Sequence, residues 1–313
     1  MMRPLVSVIV PVYRVEDVLE RCLESLCRQS LQNIEILLID DASPDRCGTI
    51  CETYAAKDTR FRVIHHPENR GISTARNTGI AHASADYIMF VDSDDWVHED
   101  FCKLPYECAE RYQVDLVMFR HQRFNKDDSC MLTQKETGRK SGMKTTLEAL
   151  DLLFTRVQHT AWNKLYKKKI FNTVSYPEGY LYEDIGTTYK TILLADSVYY
   201  LDKVLYFHCY YEGSITTLRT EKALCDWFNM YIQQYQDLTA WGYPQDKGEI
   251  LLQDIALSYC IKKKADMEDS NYAFCRKTLQ NVKGIPENFT WRRKIMFVLL
   301  KYFPPLFDLV CNL

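Results

Sequence analysis

The segment Tyr87-Ile88-Met89-Phe90-Val91-Asp92-Ser93-Asp94-Asp95-Trp96 sets five apolar residues directly against three carboxylates. An unbroken apolar run with no helical period reads as a strand buried on both faces, and parallel sheets are where such strands occur. The acids then fall at the C-terminal end of that strand, the edge at which open α/β sheets bind ligands. Two aspartates separated by one small residue can turn toward one hard cation, and such a cation can bridge the phosphates of a substrate. A lone Asp-x-Asp also occurs as a solvated turn or a helix cap, so its meaning depends on what converges on it.

Upstream, strand and helix patterns alternate. Leu5 to Val10 reads as a strand closed by Pro11-Val12-Tyr13. A helix follows from about Glu16 to Gln29, with Val18, Leu19, Cys22, Leu23 and Leu26 on one face. Ile34 to Ile39 is a second strand, ending on Asp40 and Asp41, and Ser43-Pro44-Asp45 supplies cap and first-turn residues for a helix through roughly Tyr54. Phe61 to His65 is a third strand, and after the turn Pro67 to Gly71 the segment Ser73 to Ala83 reads as a helix carrying Arg76 and Asn77. This alternation predicts βαβ units and a parallel sheet. Three strand ends, Pro11 to Tyr13 with Glu16, Asp40 to Ser43, and Asp92 to Asp94, would then line one crevice.

Downstream, Asp100 to Tyr112 reads as a helix with a fault at Pro105, and Val114 to Phe119 as a buried strand. From His121 to Thr146 the pattern dissolves into polar, glycine-containing sequence, expected to form loops or a flexible insert. Order returns at Leu147 to Phe154 and at Trp162 to Tyr166. A second acidic feature, Tyr180-Leu181-Tyr182-Glu183-Asp184-Ile185, precedes a helical pattern with Tyr189, Ile192 and Leu193. Val198 to Leu201 and Val204 to Cys209 look like a closing pair of strands. Beyond about Thr220 only helical patterns remain, at Cys225 to Leu238, Glu249 to Lys262 and Tyr272 to Val282. These shifts predict an α/β domain over 1–218 and a helical region over 219–313.

The 313 residues suffice for a full core, and 47% hydrophobic with 26% charged residues is ordinary for a globular protein. A formal charge of −3 gives no reason to expect nucleic acid as a partner. The 12 cysteines are scattered with no Cys-x-x-Cys pair, and the N-terminal apolar run is short and broken by Pro11, unlike a signal peptide. Both features point to a reducing, cytoplasmic setting.

Four segments in order carry a resemblance: Val6-Ser-Val-Ile-Val-Pro-Val-Tyr13, Asp40-Asp-Ala-Ser-Pro-Asp45, Asn69-Arg-Gly with Ala75-Arg-Asn-Thr-Gly79, and Phe90-Val-Asp-Ser-Asp-Asp95. Together they resemble the family 2 glycosyltransferases, over about 1–120. Trp162-Asn163-Lys164 and Glu183-Asp184 extend the likeness to about residue 217. The resemblance implies a GT-A fold, a Rossmann-like and mostly parallel sheet flanked by helices, and an inverting enzyme of the bacterial polysaccharide-synthesis type. It implies a nucleotide-diphosphate sugar donor, UDP-linked, and a hydroxyl of a glycan or lipid-linked glycan as acceptor. By the same resemblance, Pro11, Tyr13 and Glu16 hold base and ribose, Asp41 faces a uracil-type base edge, and Arg76 lies on the nucleotide side. Asp92 would lie near the ribose and the metal's water shell, Asp94 would ligate Mn²⁺ or Mg²⁺, and Asp184 would be the general base.

Plainer readings stand beside these. Asp40 and Asp45 suit turn and cap positions for backbone reasons alone, and Asp95 can cap the segment after it. Glu183 can be a first-turn acid favoured by the helix dipole. Trp162 is either a core anchor or an acceptor platform, and His208 is either a strand histidine or a group near the metal. Tyr210, Tyr211 and Ser214 are candidates for the acceptor side. Two other functions remain open, a non-catalytic nucleotide-binding module and an Asp-dependent phosphotransferase or phosphatase. No Gly-x-Gly-x-x-Gly follows the first strand, which argues against a dehydrogenase. In the tail, 290–313, Trp291-Arg292-Arg293-Lys294 leads an apolar run interrupted by Lys301, Pro304 and Pro305, too short to span a bilayer. It suits either a docked terminal helix or contact with the inner face of a membrane.

Overall fold

Val6–Val12 (β1) is buried at all seven positions, because the sheet covers both its edges and helices cover both its faces. In the computed structural model, which describes residues 3–125, 140–210, 220–263, 269–286 and 289–312, β1 pairs in parallel with Ile34–Asp40 (β2) on one side and Tyr87–Phe90 (β4) on the other. Phe61–His65 (β3) adds in parallel to β2. The helices Glu16–Cys27 (α1), Cys47–Lys57 (α2) and Gly71–His82 (α3) make the crossovers. The chain leaves β1 to reach β2 on one flank and later returns to β4 on the other. This reversal of direction opens a crevice at the carboxyl ends of β1 and β4.

Past β4 the sheet turns mixed. Trp96–Val97 (β5) is followed by Lys103–Tyr112 (α4), Leu116–Asn125 (β6), Gly142–Lys144 (β7), Thr146–Leu152 (α5), Lys164–Lys167 (β8), Glu183–Leu194 (α6) and Val198–Tyr210 (β9). The nine strands run β3-β2-β1-β4-β8-β6-β9-β5, with β7 also on β9. β8 is antiparallel to both β4 and β6, whereas β6 and β9 are parallel.

The expected strand and helix alternation stands, with local corrections. The expected closing pair of strands is one continuous strand, β9. Its pairing with β6 shifts register beside Phe119, Arg120 and His121, so Asp202-Lys203 is carried as an irregularity and not as a turn. The stretch 121–146, expected as loops, contains the end of β6, all of β7 and the start of α5, while 126–139 lies outside the described residues. Thr145 begins α5 with a reciprocal capping box to Glu148, a signal inside that stretch that polar composition obscures. Pro105 lies in the first turn of α4, where no intrahelical N–H is required, so it starts that helix instead of breaking it.

The chain separates into two compact units, residues 1–217 and 218–313. The second consists of Glu221–Trp241 (α7), Gln245–Lys263 (α8), Ser270–Asn281 (α9), Trp291–Tyr302 (α10) and Pro304–Asn312 (α11). It has its own core, including Phe228, Tyr259, Leu279, Phe297 and Phe307.

Candidate active site

The acid segment is held between β4 and β5. β5 pairs antiparallel with β9, Trp96 opposite Phe207 and Val97 opposite Tyr206, so 91–95 bulges out between two anchored strands. Asp95 does the local fixing. Its Oδ2 accepts the Tyr206 hydroxyl at 2.6 Å and its Oδ1 accepts the Cys209 N–H at 2.7 Å. Burial, with Asp94 and Asp92 nearby, pushes the Asp95 carboxyl well above the usual range. It is therefore a buried tie between the segment and β9; its role as a cap is not what the contacts show. The Asp92 N–H donates to the same Tyr206 hydroxyl at 3.1 Å, and Arg21 Nη2 donates to the Asp94 carbonyl at 2.8 Å.

Arg76 joins the two acidic features that lie far apart in sequence. From α3 its Nη2 meets Asp92 Oδ1 at 2.9 Å, and its Nη1 donates to Glu183 at the start of α6. Only 2% of Arg76 is exposed, so the two carboxylates are what keep its charge tolerable away from water. Burial opposes its protonation, but Asp92 and Glu183 outweigh that and hold it firmly cationic. Glu183 is the first-turn acid of α6 that the sequence suggests, and its side chain also forms this buried ion pair.

Asp184, the next residue, is half-buried and accepts the Ile185 N–H at 2.8 Å. Desolvation first, then Glu183, pushes its carboxyl up to about 7, with Arg76 opposing. A carboxylate with a proton affinity near neutrality suits general-base work. Tyr182 precedes it at φ 60°, a left-handed conformation uncommon for a tyrosine, which aims the helix start. Beside it lies Lys164, fully buried and bound to the carbonyls of Gln158 and Thr160 and to Asn163 Oδ1. Burial lowers the Lys164 ammonium to about 7, and Asp184 acts against that shift. Lys164 falls within the Trp162-Asn163-Lys164 signature, yet an internal lysine carries no local pattern that distinguishes it from a surface one.

On the other flank, Asp41 is buried and held by three partners. It accepts the N–H groups of Arg70 (2.9 Å) and Gly71 (2.7 Å) at the start of α3, and His66 Nδ1 lies at 2.7 Å. Gly71 sits at φ 83°, which only glycine adopts without strain, and so allows the chain to turn both amides onto that carboxylate. Glu16 accepts the Arg46 N–H at 2.9 Å, tying α1 to the loop after β2. Pro11 lies buried in β1 in register with Ile39, and Tyr13 is exposed beside it. Asp40 and Asp45 are turn residues: Asp40 accepts from Ser43 N–H, and Asp45 accepts from Cys47 N–H.

Trp162 stacks on Tyr206 with ring centroids 4.0 Å apart and is 4% exposed, so its role in this structure is that of an anchor. His208 stacks on the other aromatic of that pair, Trp162, and burial lowers its basicity. Tyr211 and Ser214 lie outside the described residues, as does the side chain of Tyr210.

For a cation, the donor chemistry at this edge fits. Asp92 Oδ2 has no hydrogen-bond partner among the described residues, and Asp94 is half-buried two residues on. No group of three metal-binding side chains occurs among the described residues, so any cation would take its remaining ligands from water and substrate phosphate, the usual manner for Mg²⁺.

The sequence model for glycosyl transferase family 2 matches residues 7–175. The chain belongs to this family. Glycosyltransferase GlyA of Streptococcus pneumoniae serotype 4 is 34% identical over 251 residues, which cover 77% of this chain and 36% of GlyA. The chain thus spans about a third of that relative's length. Among solved structures, S. aureus TarS 1-349 in complex with UDP-GlcNAc superposes with a TM-score of 0.71 at 20% identity, covering 98% of this chain and 90% of that one. The mannosyltransferase PcManGT of Pyrobaculum calidifontis, in complex with GDP-Man and Mn²⁺, superposes with a TM-score of 0.60 at 15% identity, covering 99% and 86%. These likenesses establish the GT-A fold of the family 2 enzymes.

Proposed function

We propose that this family 2 member transfers a sugar from a nucleotide-diphosphate sugar, UDP-linked, to a hydroxyl of a glycan or lipid-linked saccharide, with inversion. The observation that carries the reading is the buried bridge Asp92–Arg76–Glu183, which links a phosphate-side acid pair to a carboxylate tuned to about 7 at Asp184. Departure of a nucleotide diphosphate leaves two negative charges to offset, and a divalent cation held by Asp94 and Asp92 would supply that offset when bound. Asp184 takes the proton from the acceptor hydroxyl as it attacks the anomeric carbon in line, a contribution of roughly 10²–10⁴-fold. Glu183 and Arg76 keep Asp184 in place and set its proton affinity. Pro11, Tyr13 and Glu16 frame the base and ribose, and Asp41 meets the uracil edge through the lone pair that Arg70, Gly71 and His66 leave over.

The liganded relatives support the donor class: TarS was crystallised with UDP-GlcNAc, and PcManGT with GDP-Man and Mn²⁺. A lipid-linked acceptor would place the chain at the inner face of the cell membrane. An aspartyl phosphotransferase fits less well, because Asp92 is already charge-paired with a buried arginine and Asp95 is closed off by Tyr206 and Cys209. The test is a panel of nucleotide sugars, each with and without Mn²⁺, scored by thermal shift and by release of the nucleoside diphosphate. At least one UDP-sugar should stabilise the chain and be turned over slowly; binding without turnover of any donor would leave a nucleotide-binding module instead.

A further inference from the structure

Large apolar side chains are exposed very unevenly along this chain. Among the described residues, seven of the sixteen that stand out from the surface lie within residues 291–310. On α10, Trp291, Ile295 and Tyr302 recur at intervals of four and seven residues and so share one face, with Phe297 and Leu300 buried on the opposite side. α11 continues the pattern: Leu306 and Leu309 are exposed while Phe307 is buried. Both helices pack onto the same core through those buried residues, so both turn their apolar outer faces away from it. Between them Phe303, 56% exposed, is the last residue before Pro304 starts α11.

The charges around this face are mostly positive. Between residues 289 and 312 the basic side chains are Arg292, Arg293, Lys294 and Lys301, and the only acid is Asp308, in a chain whose overall formal charge is −3. Arg293 is turned inward to Asp254 at 2.8 Å and to Ser258 at 2.9 Å, and Lys301 donates to the Val282 carbonyl. Arg292 and Lys294 lie on the two flanks of the apolar stripe of α10, about 100° and 60° from Trp291 around the helix. An apolar stripe bordered by cations, with Trp and Tyr at its two ends, matches a bilayer interface: rings and aliphatic groups at the acyl boundary, cations among anionic headgroups. No helix among the described residues is long and apolar enough to cross a membrane.

We infer that the outer face of α10 and α11 is a binding surface for anionic lipid bilayers, on which the chain lies without spanning. A second copy of the chain is the competing occupant, and it is disfavoured because such a pairing gathers both copies' cations around one interface, with Asp308 the only acid between residues 289 and 312 to offset them. The inference rests on the second unit alone and holds whether or not the proposed transfer reaction is correct.

The test uses the full chain and sedimentation with vesicles of phosphatidylcholine alone or enriched in phosphatidylglycerol, with light scattering in the absence of lipid. Binding should favour the anionic vesicles and weaken with salt. Arg292→Gln with Lys294→Gln should weaken it roughly thirtyfold, from about 1 kcal/mol per basic residue near an anionic surface. Ile295→Asp with Leu309→Asp should abolish it, and both are surface changes whose folding circular dichroism checks. No preference for anionic vesicles in the native chain would overturn the inference. So would a stable dimer in solution that Ile295→Asp with Leu309→Asp converts to a monomer. Release of nucleoside diphosphate from a soluble donor, measured in parallel, reports on the transfer reaction separately.

Discussion

Asp184 should impose a pH profile that identifies it. Its carboxyl stands at about 7 against an ordinary value of 3.8, because desolvation and the adjacent Glu183 disfavour the ionised form more than Arg76 restores it. A general base works only when ionised, so kcat/KM should rise about tenfold per pH unit below 7 and level above it, a change of about a hundredfold between pH 5 and pH 8. Glu183→Gln removes the larger of the two charge effects that raise it while leaving desolvation and Asp92, and the inflection should move to lower pH. Stability gives an independent reading of the same group. The folded carboxyl holds its proton more tightly than the unfolded one, so its contribution is full below about 4 and is lost as pH rises through about 7. The loss reaches about 4 kcal/mol at most for this group, less whatever Arg76 and solvent relieve once it ionises. The difference between native and Asp184→Asn chains in urea midpoint, followed from pH 4 to pH 8, isolates that term. A flat rate profile across pH 5 to 8, or an inflection unmoved by Glu183→Gln, would show that the rate does not follow ionisation of Asp184.

Other perturbations test the scaffold around that group. Asp95→Ala leaves the Tyr206 hydroxyl and the Cys209 N–H without their buried acceptor and should cost about 2–6 kcal/mol in urea denaturation, at roughly 1–3 kcal/mol per orphaned group. A loss below about 1 kcal/mol would mean that those bonds do not hold the segment. Gly79→Ala would place a Cβ 2.3 Å from Ile9 Cγ2, so α3 must lift from β1 at a cost of about 1–3 kcal/mol, and Ile9→Val should recover part of it. Full stability in Gly79→Ala would show that the contact relaxes freely.

The first half of the fold was legible because each element obeys one local rule. β1, β2 and β4 are continuous apolar runs, α1 carries its apolar face at helical spacing, and the acids mark strand ends. The register irregularity that joins 198–201 to 204–210 was not legible, since Asp202-Lys203 has turn chemistry and only the pairing with β6 carries the strand through. The site divides in the same way. Asp92, Asp94, Arg76 and Asp184 could be named from the family resemblance, whereas the Arg76–Glu183 pair and the burial of Lys164 depend on contacts between residues more than a hundred apart or on the packing of an entire sheet face. Asp95 shows the converse. Its position beside Asp94 suggested a cap, but its partners are on β9, more than a hundred residues later.

The division of labour between Asp184 and Asp94 is tested most directly by comparing native, Asp184→Asn and Asp94→Ala chains for UDP affinity in Mn²⁺ by calorimetry and for nucleoside diphosphate release from the best UDP-sugar with acceptor. Asp184→Asn should bind UDP with Mn²⁺ as the native chain does and turn over at least about 100-fold more slowly. Asp94→Ala should lose the Mn²⁺-dependent part of UDP binding. Native-like turnover in Asp184→Asn would remove the general base, and Mn²⁺-dependent binding undiminished in Asp94→Ala would remove the metal ligand.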